Sequence, residues 1–168
     1  MRTNWKFALT VAATALTGAA GAGVAQASPA TAGGVAPSAC RPANHTAKIT
    51  EAPADAGHRH YRVTLTAPRG YEPCKLAGSP TNVRFSNRDS EIGVAAGHYG
   101  NQATVVTFGP GHPVHFDIQV PSSGRSIAAR EASFTLQAPD GEIPGTSVAQ
   151  GKLNVATGTL IGPVQRGA

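Results

Sequence analysis

Two stretches of strict two-residue alternation constrain this chain more than anything else in it. From Arg59 to Ala67, Tyr61, Val63, Leu65 and Ala67 point one way and His60, Arg62, Thr64 and Thr66 the other. From Pro113 to Val120, Val114, Phe116, Ile118 and Val120 alternate with His115, Asp117 and Gln119. Successive side chains of a strand leave on opposite faces, so such a pattern is buried by a strand with one dry and one wet face, the habit of antiparallel sheets. Further strands are expected at Lys48–Glu51, Val83–Ser86, Ile92–Ala95, Gln102–Phe108, Ala132–Gln137, Lys152–Ala156 and Thr159–Val164. Between them Pro68-Arg69-Gly70, Asn87-Arg88-Asp89, Gly109-Pro110-Gly111 and Pro139-Asp140-Gly141 supply turn chemistry. The one possible helical piece, Ser126–Glu131, is too short to stand alone. Seven to nine short strands at this spacing predict an all-β sandwich.

The first 27 residues read differently. Arg2 and Lys6 precede an apolar run from Phe7 to about Ala20, and small residues end in Ala25-Gln26-Ala27. This is the layout of a secretory signal peptide, with cleavage expected after Ala27, and the run is shorter than the roughly 20 residues of a membrane span. Residues 28–38, SPATAGGVAPS, have nothing to bury and read as a flexible tether. A single domain is then expected over 39–168, its fold ending near Gln165. The expected product is a released, extracellular protein, monomeric and without stable membrane insertion. Losing Arg2 and Lys6 and no acid lowers the formal charge from +5 to +3. The remaining cations are scattered singly, which argues against a nucleic-acid partner.

Only two cysteines occur, both beyond the signal, and exported thiols meet an oxidising environment in which they pair. A Cys40–Cys74 disulfide is the economical reading. A lone pair at this spacing lacks the C-x-x-C geometry of redox and zinc sites. Closing a loop of this length is worth about 3–4 kcal/mol in the chain-entropy treatment.

Several short segments recur in a fixed order: Cys40; Gly57-His58-Arg59-His60-Tyr61; Cys74, Leu76, Gly78 and Pro80 in a Cys-x-Leu-x-Gly-x-Pro segment; Ile92-Gly93; Phe108-Gly109-Pro110-Gly111; and Gly158, Leu160, Gly162, Pro163 and Val164. In this order and spacing the chain resembles, from about Cys40 to Val164, the actinobacterial secreted proteins grouped as domain of unknown function 4232. That resemblance implies an immunoglobulin-like antiparallel β-sandwich. It implies no activity, and no functional residues carry over from it. Many members have a second cysteine pair in the C-terminal half, which this chain lacks, so a looser segment is expected around Pro139–Gly151.

The chemistry the residues offer is sparse. His58 and His60, two apart near a strand start, would share a face as a metal pair requires, and His112 and His115 flank another strand start. Against a metal site stand the solvent-facing positions expected of His60 and His115 and the three or four ligands that zinc or copper demands. No nucleophile elbow, paired carboxylate or H-E-x-x-H is found, and Asp117 and Glu131 read as solvated strand residues. No catalytic residue and no cofactor is therefore expected. A carbohydrate-binding module would present aromatic platforms, yet the only Trp, Trp5, leaves with the signal, and Phe85, Phe116 and Phe134 sit on inward alternations. Tyr71, His98 and Tyr99, in loops, remain as ligand-contact candidates. The expectation is a secreted non-catalytic module that meets an extracellular protein or cell-wall component through loop ends such as Pro68–Pro73 and Ala96–Asn101. The alternative is a metal- or small-ligand-handling protein using its histidines.

Overall fold

The computed structural model describes residues 36–168. The signal peptide and most of the tether expected from the sequence lie outside these residues. A single 3-10 turn, Pro42–Asn44, is followed by β1 (Thr46–Asp55), β2 (His58–Thr66), β3 (Cys74–Ala77), β4 (Thr81–Asn87), β5 (Ser90–Ile92), β6 (Gly97–His98) and β7 (Val105–Phe108). The second half holds β8 (Val114–Pro121), β9 (Ile127–Thr135), β10 (Gln137–Ala138), β11 (Gly141–Glu142), β12 (Ser147–Val155), β13 (Leu160–Ile161) and β14 (Gln165–Arg166).

The two alternating stretches become β2 and β8, and they pair antiparallel along eight positions, from His58 opposite Pro121 to Leu65 opposite Val114. Residues opposite each other in a ladder share a face, so Tyr61, Val63 and Leu65 join Val114, Phe116 and Ile118 on one dry surface. The large sheet continues on both sides in the order β5-β4-β9-β12-β1-β2-β8-β13-β6, with β14 also on β8. Phe116 of β8 and Phe134 of β9 are four strands apart in this order, yet their rings meet edge to face at 5.0 Å. The sheet is therefore curled so that its two flanks face each other across the core. A two-stranded ladder, β3 with β7, adds Leu76, Val106 and Phe108 to the same interior.

The all-β class and the single disulfide are as the sequence predicts. The core is enclosed in another way than by two antiparallel sheets: one continuous sheet curls over, and it is mixed, because β1 runs parallel to β12 and β13 parallel to β6. Ser126–Glu131, the possible helical piece, belongs to strand β9 from Ile127 onward. Its inward residues Ala129 and Ala132 are three apart because the β9–β12 register slips at a bulge, pairing Gln150 with Glu131 and Leu153 with Ala129. Three-residue spacing is what a short helix would also show. The segment around Pro139–Gly151, expected to be loose, ends in β12, which is paired on both sides by β9 and β1.

The disulfide joins the residue that opens the domain to the first residue of β3, with Cα atoms 6.0 Å apart. The tether's last residues are tied in beside it: Glu72 N–H donates to Pro37 O at 3.1 Å, and Ala39 N–H to Glu72 O at 2.9 Å. Two residues after β3's Leu76, Gly78 takes φ +59, and a β-carbon there would lie 2.9 Å from the Gln102 carbonyl oxygen. Both facts require glycine. The adjoining Ser79 hydroxyl, buried, donates to Ile161 O at 3.1 Å. The Cys-Leu-Gly-Pro segment thus ties β3, the Gln102 loop and β13 together.

Candidate functional site

The outer face of β2 and β8 carries several of the titratable groups singled out in the sequence. His58 and His60 share that face, as two-residue spacing dictates. A bulge brings a third group to them: between Ala52 and Asp55 β1 advances three residues while β2 advances two, from His60 to His58. Asp55 therefore lands opposite His58 on the histidines' side. Its carboxylate lies 3.5 Å from His58 Nδ1 and 3.1 Å from His60 Nε2. The His60 contact lacks hydrogen-bond alignment, since that nitrogen is buried without a hydrogen-bond partner.

Next along the same face Arg62 stands directly opposite Asp117 and donates from Nε to Oδ1 at 3.3 Å. Asp117 is mostly covered, so it is a paired strand residue and not the solvated one expected. Glu131, the other acid read as solvated, is half-buried and accepts from Ser86 Oγ at 3.2 Å. Tyr99 lies over Gly162, where an added β-carbon would sit 2.9 Å from its hydroxyl oxygen. Burial raises the Tyr99 phenol above its ordinary value, and the nearby Asp117 and Asp55 charges add to the effect.

The other two candidate metal ligands are elsewhere. His115 is opposite Thr64, four residues along the ladder from the His60–Gln119 pair, a separation of about 13 Å at the usual strand rise. Although on the polar side of its alternation, His115 is only 8% exposed, because β14 covers it and Gly167 O lies 3.1 Å from its Nδ1. That corrects its expected solvent-facing position. His112 closes the Gly109–His112 turn, donating from its backbone to Gly109 O at 2.9 Å. His58 and His60 stand together, and neither His112 nor His115 joins them. Among the described residues no three His, Cys, Asp or Glu side chains are gathered as a metal cage.

The three ligand-contact candidates all have structural partners. Tyr71 packs half-buried against the core, His98 Nε2 lies 3.1 Å from Pro80 O, and Tyr99 covers Gly162. Their loops are pinned as well. Gly97 and Tyr99 donate from their backbones to Thr159 O and Ile161 O at 2.9 and 3.1 Å.

A groove lies at the disulfide. It encloses about 730 Å3 between the Cys40–Pro42 segment and the β10–β12 region, with the Cys40–Cys74 bridge and Ile143 on its floor and Pro42, Ala43 and Pro144 on its walls. Its lining carries both charge signs, in Arg41, Lys75, Asp140 and Glu142. Its lining comes from residues 38–43, 74–75 and 138–146, and the disulfide joins the first two of these segments.

One group was missed entirely at the sequence level. His45 sits behind this groove, its Nδ1 3.0 Å from Ala39 O and its Nε2 3.0 Å from the buried Ser147 Oγ, with its ring edge-on to Phe108 at 5.5 Å. The geometry fits a neutral ring that donates from Nδ1 and accepts at Nε2. Burial lowers its pKa below the ordinary 6.5.

The family model described as Domain of unknown function (DUF4232) matches residues 40–163. The chain belongs to this family. The DUF4232 match begins at Cys40 and ends at Pro163, so it takes in the disulfide, the curled sheet up to β13 and the Asp55–His58–His60 group. No curated protein and no solved structure matches the chain.

Proposed function

We propose that this DUF4232 domain is a secreted, non-catalytic binding module that holds a cell-surface protein through the groove beside its disulfide. The observation that carries the reading is that groove: about 730 Å3, apolar at its floor, ringed by prolines and by charges of both signs. Pockets of this size take a partner's side chains, with the apolar floor giving affinity and the rim orientation. Prolines on its walls cost little conformational entropy when a partner docks. Export is supported by the signal-peptide layout and by the disulfide, which needs an oxidising compartment to persist. Among the described residues no helix is long and apolar enough to cross a membrane.

The test is affinity capture from the wall fraction of the producing cell with the exported protein, followed by footprinting of the captured complex. Protection should map to Pro42, Ala43 and Pro144. Protection confined to other surfaces, or capture of nothing from that fraction, would end the reading.

A second reading keeps the histidine pair: Asp55 lies beside both His58 and His60, although the three are not gathered as a metal cage and would have to draw together on binding. A metal-handling role would use these three, without His112 or His115. Calorimetric titration with copper and zinc decides it: stoichiometric heat lost in His60→Ala supports the role, and no such heat excludes it.

A further inference from the structure

At the end of the sheet opposite the disulfide, three cations from distant parts of the chain line one cleft of about 530 Å3: Arg88 from the β4–β5 turn, Arg130 from β9 and Lys152 from β12. Among the described residues none of the three takes part in an ion pair, while Arg62 and Arg84 do. Glu51 is the only acid on the cleft wall. Asp89 and Glu131 lie with the same cations around a smaller, adjoining depression of about 330 Å3.

Two departures from regular backbone put these cations there. Asn87 pairs with Ser90, so Arg88 and Asp89 form a two-residue hairpin loop, with φ +48 and +65. Such a turn needs left-handed residues at both positions and is ordinarily filled by Asn or Gly. An arginine there is strained, and strain of this kind persists where the side chain is needed. On the facing wall, the β12 bulge sets Gly151 and Lys152 opposite the single residue Arg130. That bulge fits only because residue 151 is glycine, lying tight against Ile49.

The rest of the cleft is suited to hydroxyl groups. Tyr61, at its floor, accepts a hydrogen bond at its phenolic oxygen from Asn154 N–H at 3.1 Å, which leaves its own O–H free to donate. Asn87, in the wall, donates from Nδ2 to Ala128 O at 3.2 Å, while its Oδ1 is buried without a partner.

We propose that this cleft binds a sugar or polyol unit bearing a carboxylate or phosphate, the anionic group held by Arg88, Arg130 and Lys152 and a hydroxyl by the Tyr61 phenol at the floor. The volume is that of a site for one small ligand, within the usual range of about 300–1,000 Å3. Charge-assisted hydrogen bonds from arginine to such an oxyanion are the strong ones.

The experiment titrates the exported protein at low salt with glucuronate, glycerol 1-phosphate, inorganic phosphate and glucose, followed by backbone amide NMR. Saturable shifts at residues 87–90, 130 and 152 are expected with glucuronate, glycerol 1-phosphate or both, and the one that binds identifies the anionic group. Weakening of about tenfold or more is expected in the Arg130→Gln/Lys152→Gln double variant, with Lys48→Gln unchanged. Arg88→Asn separates a binding role from a structural one: relief of the left-handed strain should raise the thermal unfolding midpoint while glucuronate or glycerol phosphate binding falls. The proposal is overturned if neither anionic polyol saturates, if glucose or inorganic phosphate binds as tightly, if the double variant binds as the parent does, or if Arg88→Asn leaves binding intact.

Discussion

At the scale of single residues, Gly151 and His45 do the most with the least sequence signal. A β-carbon on Gly151 would collide with the Ile49 carbonyl and lie 2.7 Å from Ile49 Cβ. The obstacle is mostly backbone of the neighbouring central strand, which cannot yield without breaking the β1–β12 pairing. Gly151→Ala should therefore destabilise by about 3 kcal/mol, at the upper end of overpacking costs, measured by chemical denaturation. For His45 the sign of the pH effect follows from its burial. Its pKa is lowered in the folded state, so the unfolded chain binds the proton more readily below pH 6.5. Its contribution to stability is full above that pH and is lost progressively as pH falls. His45→Ala removes the partner of the buried Ser147 hydroxyl and should cost about 1–3 kcal/mol at pH 7. The stability gap between parent and variant should narrow at pH 5; a gap that widens there would contradict the neutral, buried ring. Neither residue was legible in advance. Gly151 is one glycine among twenty, and His45 is given meaning by distant partners, Phe108 and, 102 residues away, Ser147.

At the scale of elements, the legibility of each strand follows from its neighbours. β2 and β8 are regular ladder partners with one covered face, so their alternation was visible as it stood. β9 was half obscured because the bulge opposite Arg130 breaks its alternation into a helix-like spacing. β3 was missed: four residues long, it pairs with β7 some thirty positions later, and only that contact makes it a strand. The same reasoning covers the histidine face. The His58/His60 pair could be read from spacing, but Asp55 reached it through a bulge, and His115 was covered by the C-terminal β14. The disulfide was legible because two exported thiols have no other partner. Cys74→Ala should lower stability by about 2–5 kcal/mol, and loosening should concentrate at β3, read as faster amide exchange at Leu76 and Val106. At the centre, Phe116→Ala should cost about 3–5 kcal/mol, because Phe116 bridges the two flanks of the curled sheet through Phe134. A cost under about 1 kcal/mol would mean that this contact does not close the core.

At the scale of the whole molecule, one sheet that curls over its own core leaves two ends unlike each other. One end carries the disulfide, the half-buried His45 and an apolar groove; the other carries the β4–β5 turn, the β12 bulge and a cationic cleft. Neither surface could be seen in the linear sequence, where its residues are scattered singly over a hundred positions. What the sequence did expose was the framework, since the segments that mark the family are those that build turns, the staple and the dry faces of strands. Binding at the groove is the central claim. Its most direct test is the fraction of exported protein retained by the producing cell's wall fraction, compared between the parent and Ala43→Arg, whose bulky side chain fills the groove from an exposed wall position. Retention of the parent with a loss of about tenfold or more in the variant, at unchanged thermal stability, is the predicted result; equal retention of the two proteins, or none of either, would contradict it.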